Sequence, residues 1–316
     1  MISIEDFGSK LTNNISKVIV GKEPIIERVL AVLLSGGHVL INDVPGVGKT
    51  MLARSLAISL GLDFNRLQCT PDLLPGDVTG ISILNLKTNE FTFRRGPVFT
   101  QILLIDEVNR TTPRTQSALL EAMAERQVTV DGKTFNMEHP FFVIATQNPV
   151  EFEGTFPLPE AQLDRFAISL TMGYPGEESE KSLLKGIFRE HPIASLGSVS
   201  NCEELNEVLR LVKEVAIEDS LLGYIVNIVN ATRRHKDVQL GSSPRGSIAL
   251  METARALAGL RGRDYIIPDD VKEVAPDILS HRIMIKPEAR LMRRSSREIV
   301  LDIVESVPIP IDYEEA

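Results

Sequence analysis

The sequence predicts an α/β domain built on a parallel sheet, carrying two β-hairpin insertions and followed by an all-α domain. Three observations predict it. Four short apolar runs, HVLIN (38–42), QILLID (101–106), FFVIAT (141–146) and FAISL (166–170), alternate with helical patterns, as strands buried on both faces of a parallel sheet do. Two segments between them switch to an alternation of period two, the pattern of half-buried strands. Beyond Gly173-Tyr174-Pro175-Gly176 only helix patterns remain. The expected division is therefore an α/β core with N-terminal helices over 1–175 and a helical domain with its tail over 176–316.

Taken in order, residues 4–35 read as two amphipathic helices split at Val20-Gly21-Lys22. HVLIN supplies the first strand, and Lys49 to Leu60 the helix that follows it. In ILNLKTNEFTFR, Leu84 and Leu86 oppose Phe91 and Phe93 around a Thr88-Asn89 turn. In QVTVDGKTFNM, Asp131-Gly132 is a two-residue hairpin turn, since both residues tolerate φ > 0. Ser200 and Glu203 form a candidate capping box, and Ser243-Pro244 and Ile267-Pro268 place proline at first helical positions. The tail IVESVPIPIDYEEA closes a last helix and then frays.

A length of 316 residues is enough for two domains with a sizeable core. A net charge of −9 argues against general polyanion binding, which leans on phosphate neutralisation, and leaves Arg293-Arg294 as a short basic candidate. Nucleic acid is not the expected partner. Cys69 and Cys202 cannot form a disulfide framework and fit a reducing compartment. Gly36, Gly37, His38 and Asn42 interrupt the most hydrophobic region, so no membrane span is expected. The start MISIEDFGSK lacks the layout of a secretion signal, and the expected location is cytoplasmic.

The stretch INDVPGVGKTML (41–52) carries the chemistry. It fits G-x-x-x-x-G-K-[ST] except that Asp43 stands at the first glycine. Asp43, Val44, Pro45, Gly46, Val47 and Gly48, with Lys49, Thr50 and Met51 opening the helix, are the expected cradle for nucleotide phosphates. Pro45 fixes one φ, and Gly46 and Gly48 allow the backbone to approach closely. Inward N–H groups at a helix N-terminus favour an anion; Lys49 would reach the β- and γ-phosphates and Thr50 would hold Mg²⁺. The alternative is a plain glycine turn between strand and helix.

The run ILLIDEVNR ends a buried strand in two carboxylates, which is costly unless charge compensates them. Asp106 would join the Mg²⁺ shell, and Glu107 would polarise the attacking water. The alternative is a solvated strand end, but the pair follows Thr50 at the interval of one intervening strand plus an insertion. A carboxylate directly after the metal ligand points to hydrolysis rather than to a kinase.

The strings VGKEPIIERVLAVLLSGGHVLINDVPGVGKTMLARSLA, LLIDEVNRTTPRTQSALLEAMAERQVTVDG, IATQNPVEFEGTFPLPEAQLDRF and GSSPRGSIAL, in that order, resemble the MoxR family of AAA+ ATPases, over about Val20 to Val307. In that family Asp or Glu commonly replaces the first loop glycine. The resemblance implies an AAA+ core, a helical lid and a homo-oligomeric ring, a hexamer, with ATP and Mg²⁺ between subunits. By matched motif it makes Asn148 the sensor-1 residue, Arg165 an arginine finger for the neighbouring subunit, and Arg245 sensor 2, in cis or in trans; on spacing alone Asn148 reads as a cap of the turn before Pro149, and Arg165 as a surface residue paired with Asp164 or Glu160. Val20 and Gly21 match the box beside adenine. Arg110 and Arg114 are candidates to face the next subunit, with structural salt bridges as the alternative. The hairpins match insertions shared with magnesium chelatase and MCM-type helicases and would face a pore or client. Phe91, Phe93 and Phe99 are candidate contacts, with burial under the insertion the alternative. His139 and His281 read as structural or solvent-facing. The function implied is a chaperone-like remodeller working with a von Willebrand factor A-domain partner. The alternatives are a chelatase-type motor subunit and a nucleotide-dependent switch with little turnover.

Overall fold

The computed structural model describes residues 2–87, 89–149, 154–181 and 192–310. Strands β1 (Val39–Asn42), β2 (Phe64–Gln68), β5 (Ile102–Asp106), β8 (Phe142–Gln147) and β9 (Ile168–Leu170) form one parallel sheet in the order β2-β5-β8-β1-β9. Each of the four apolar runs supplies one strand. Alternate residues separate into two cores: Ile102, Leu104, Phe142 and Ile144 pack with the helices on one face, and Leu103, Ile105, Val143 and Ala145 pack on the other. The fifth strand, β2, pairs only with β5 and leaves Asn65, Arg66 and Gln68 exposed.

Helices α1 (Ile4–Ile15) and α2 (Glu23–Leu34) precede the sheet; Ser3 caps α1 by accepting the Asp6 N–H. Helix α3 spans Lys49–Leu60 between left-handed Gly48 and Gly61. Helices α4 (Pro75–Thr79), α5 (Pro113–Glu125) and α6 (Glu160–Leu163) complete the α/β part.

Both hairpins are present. In the second, β6 (Gln127–Val130) and β7 (Lys133–Asn136) turn at Asp131 and Gly132, with φ of 50° and 74°. In the first, β3 (Gly80–Asn85) pairs with β4 (Glu90–Arg95) so that Leu84 faces Phe91, as expected, but Phe93 faces Ser82 and Leu86 lies beyond the ladder. The ladder closes at Asn85 and Glu90, so the turn is longer than two residues; Thr88 lies outside the described residues. Phe93 stacks on Phe135 at 4.1 Å and meets Phe99 edge-on at 5.7 Å, which joins the two hairpins. Phe91 is 73% exposed, so burial does not apply to it.

From residue 202 the chain is helical: α7 (Cys202–Val212), α8 (Asp219–Arg234), α9 (Pro244–Leu260), α10 (Pro268–Leu279), α11 (Pro287–Leu291) and α12 (Ser296–Ser306). Ser243 caps α9 with Pro244 in its first turn, and Pro268 opens α10, as expected. The cap of α7 is Asn201 rather than Ser200, whose hydroxyl instead donates to Glu204. A short antiparallel ladder of β10 (Val238–Leu240) and β11 (Met284–Ile285) is an addition to the helical pattern. The frayed tail expected past residue 310 lies outside the described residues. Helix α9 packs closely on α1: a Cβ on Gly8 would stand 2.3 Å from a Leu260 methyl. Ion pairs Arg28–Glu273 (2.6 Å) and Arg261–Glu27 (3.0 Å) join α2 to the later helices.

Candidate nucleotide site

The loop between β1 and α3 runs through Gly46 and Gly48 at φ of 86° and 94°, conformations that favour glycine. A Cβ on Gly46 would meet nothing within 4 Å, so open space adjoins the loop. Asp43 is buried, and its carboxylate accepts the Val44 N–H (2.8 Å) and the Gly173 N–H (2.6 Å). The residue that departs from the motif thus ties the loop to the segment leaving β9. Lys22 grips the same segment, donating to the carbonyls of Met172 (2.6 Å) and Tyr174 (2.9 Å). Lys49 is buried and donates to the carbonyls of Asp43 (2.7 Å) and Val44 (3.1 Å). Burial pushes its ammonium below the usual lysine range, against the nearby carboxylates of Asp43, Asp106 and Glu107.

Asp106 ends the buried strand β5. Its Oδ1 accepts the Thr146 hydroxyl (2.7 Å), and its Oδ2 accepts Arg66 Nη2 (2.7 Å) and Nε (3.2 Å). The same Thr146 oxygen accepts the Glu107 N–H at 2.9 Å, so one side chain from β8 fixes both carboxylate residues. Glu107 has φ 56° and ψ 51°, a left-handed backbone that a non-glycine residue adopts at a cost and that re-aims its side chain. Its Oε2 accepts Gln68 Nε2 (2.7 Å) and pairs with Arg110 Nη1 (3.2 Å). Asn148 is buried just past β8, and its carbonyl accepts the Asn109 amide at 3.4 Å.

Lys49, Thr50, Arg66, Gln68, Asp106, Glu107 and Asn148 line one cavity of about 390 Å³ with Pro45, Gly46, Gly48 and Met51. A second cavity of about 140 Å³, walled by Val18, Ile19, Val20 and Val47, shares Gly46, Gly48 and Met51 with it. A polar cavity carrying Lys49 and Arg66 beside two carboxylates, next to an apolar one, suits a polyphosphate with its divalent cation and a flat base. The Thr50 hydroxyl and Asp106 carboxylate are oxygen donors of the kind a hard divalent cation takes. Gly21, at φ 69°, and Val44 and Asp43 line neither cavity.

Arg165 and Arg245 stand elsewhere. They line a cavity of about 290 Å³ with Arg126, Asp164, Glu252 and Arg282, among others, and it shares no residue with the phosphate cavity. Arg165 Nη1 donates to the Leu120 carbonyl (2.7 Å), and Arg245 Nη1 lies 3.9 Å from Asp164 Oδ2. Asp164 also accepts the Ser243 hydroxyl (2.8 Å) and Arg282 Nε (3.1 Å). Arg110 forms the intrachain pair with Glu107, and Arg114 is exposed. Arg66, Gln68 and Thr146 were not singled out by the sequence; polar residues two apart on the strand after α3 were the available signal for the first two.

The profile described as the ATPase family associated with various cellular activities (AAA) matches residues 38–168, and that of the AAA lid domain matches residues 230–303. Chaperone MoxR1 of Mycobacterium tuberculosis is 41% identical over 306 residues, spanning 94% of this chain and 80% of that protein. The chain belongs to the MoxR family of AAA+ ATPases. The uncharacterised YeaC of Bacillus subtilis is 55% identical over 302 residues, 96% of this chain and 94% of that one. The crystal structure of a candidate ATPase from Cytophaga hutchinsonii superposes with a TM-score of 0.90 at 39% identity, covering 97% of this chain and 96% of that one. As a MoxR-family AAA+ protein the chain binds nucleotide and hydrolyses ATP. No helix among the described residues is long and apolar enough to cross a membrane.

Proposed function

We propose that this MoxR-family ATPase works as a hexameric ring hydrolysing Mg-ATP, in which each phosphate cavity is completed by Arg165 and Arg245 of the adjoining subunit. One observation carries the reading: the Lys49–Asp106 cavity and the Arg165–Arg245 cavity share no lining residue within one chain. Stacking the second against a neighbour's first is a head-to-tail contact, the kind that closes into rings. It also favours Arg245 acting in trans.

In this mechanism Lys49 and the loop N–H groups bind the β- and γ-phosphates, and Val20 and Val47 seat the base. Thr50 and Asp106 would hold Mg²⁺, which would shield phosphate charge. Glu107 takes a proton from the attacking water, and Asn148 orients that water. The arginines stabilise charge developing on the transferred phosphoryl group, a contribution of roughly 10³ to 10⁵ in rate. Hydrolysis belongs to the 1–175 core, and the 176–316 lid carries Arg245 and moves with the nucleotide state. The partner we infer, from the family, is a von Willebrand factor A-domain protein or another client complex met in the cytoplasm. Exposed Ile81, Leu86 and Phe91 on the first hairpin offer it an apolar contact.

The test mixes two variants. Arg165→Ala and Lys49→Ala subunits are each expected to be inactive alone and to regain part of the ATPase activity when mixed, because a mixed interface pairs an intact loop with an intact arginine. Native mass spectrometry would establish that mixed rings form. Mixed rings without recovered turnover would overturn the shared site.

A further inference from the structure

We propose that Arg66 is a nucleotide-site residue that competes with the divalent cation for Asp106 and, when the cation takes that carboxylate, binds the nucleotide's phosphates within its own chain. The inference rests on the ATPase reading of the cavity.

The competition follows from the two Asp106 oxygens. Oδ1 is occupied by the Thr146 hydroxyl at 2.7 Å, and that hydroxyl also anchors the Glu107 N–H, so this side is fixed by two bonds. Among the described residues Oδ2 is held from β2 alone, by Arg66 Nη2 at 2.7 Å and Nε at 3.2 Å. A cation coordinating Asp106 through Oδ2 meets the guanidinium that already holds that oxygen. Guanidinium and cation are both positive, and close approach of the two on one carboxylate oxygen is unfavourable.

Arg66 is built to move. It lies on the edge strand β2, and its side chain is 47% exposed. Its other bond is to Gln68 Oε1 at 2.6 Å, itself a lining residue of the same cavity. Released from Asp106, the guanidinium stays charged at any accessible pH and stays inside the phosphate cavity, where Lys49 is the other lining cation. A planar fork of N–H donors matches a phosphate's oxygens. Arg165 and Arg245 line a different cavity, so they do not duplicate this role in cis.

Two opposite effects follow, and a merely structural arginine would produce neither. Removing the guanidinium frees Asp106 for the cation, and it removes a phosphate ligand. The experiment titrates the full chain with a methylanthraniloyl ATP analogue in excess EDTA and at stepped Mg²⁺ concentrations, with melting curves recorded alongside. For Arg66→Met, nucleotide affinity at saturating Mg²⁺ is expected to fall roughly tenfold, the size of one charge-assisted hydrogen bond, while the half-saturating Mg²⁺ concentration falls several-fold. Arg66→Lys retains a point charge without the fork and is expected to fall between Arg66→Met and wild type on both measures; it also carries the test should Arg66→Met fold poorly. Unaltered affinity at saturating Mg²⁺ and an unaltered Mg²⁺ dependence in the variants, with wild type binding normally, would overturn the proposal alone. Wild-type protein that takes no nucleotide at any Mg²⁺ concentration would overturn it together with the ATPase reading.

Discussion

The Asp43 carboxylate accepts the Gly173 N–H at 2.6 Å, which bonds the first residue of the phosphate loop to the chain leaving the last sheet strand. Its second oxygen accepts the neighbouring Val44 N–H at 2.8 Å. A glycine at this position could do neither. The departure from the phosphate-loop motif is therefore a structural replacement: the loop keeps its two necessary glycines and gains a tether to the segment that leads toward the lid.

Asp43→Ala is expected to destabilise the chain by about 2 kcal/mol, since two backbone donors beside a buried side chain lose a charged acceptor. Asp43→Asn retains one acceptor oxygen and should lose less. Asp43→Gly, although it restores the consensus, should do no better than Asp43→Ala. Urea unfolding monitored by circular dichroism measures all three. A Gly variant as stable as wild type would remove the tether from the account.

Glu107→Gln is expected to bind ATP with affinity near wild type while hydrolysis falls at least about a hundredfold, the usual worth of a general base. Equilibrium nucleotide binding and steady-state phosphate release separate the two effects. Turnover at the wild-type rate would dismiss Glu107 as the base.

The legible parts of this molecule are those whose burial is symmetrical. β1, β5, β8 and β9 read as apolar runs because both sheet faces are covered; all five residues of Ile102–Asp106 are buried. The edge strand Phe64–Gln68 did not read as one, because solvent meets Asn65, Arg66 and Gln68, and without the strand those side chains had no place in a site. Register in the first hairpin departs from the sequence pattern for a related reason: Ile81, Ile83 and Leu84 are all exposed, so no buried face fixes which residue opposes which. Loop motifs revealed Lys49, Thr50, Asp106 and Glu107, whereas Thr146 ends an apolar strand with nothing in the pattern to mark its two hydrogen bonds.

Thr146→Val keeps the shape of that side chain and removes its hydroxyl. It leaves Glu107 N–H and Asp106 Oδ1 without their shared partner, and the expected cost is about 1–3 kcal/mol. ATPase activity should fall as well, because both carboxylate residues lose their positioning. Thr146→Ser, which keeps the oxygen, should restore most of each. Thermal melts and phosphate release on the pair provide the check, and equal behaviour of Val and Ser would sink the argument.

Two buried histidines set an acid limit on stability. Burial lowers His38 to about 4, and burial followed by the adjacent Arg282 charge lowers His281 to about 3. His38 Nδ1 accepts the Val143 N–H at 3.1 Å and its Nε2 faces the Met123 carbonyl at 3.2 Å, a pairing that suits the neutral ring. In the unfolded chain both rings protonate near 6.5. Between that value and the folded values the unfolded state binds more protons, so stability is full above about pH 7 and declines as pH is lowered through the window. By pH 5 each histidine should have cost roughly 2 kcal/mol relative to pH 7. Unfolding free energies measured from pH 7 to 5 should show this slope, and a His38→Asn, His281→Asn double variant, though less stable at pH 7, should show a shallower one. A variant slope as steep as that of wild type would assign the acid sensitivity to other groups.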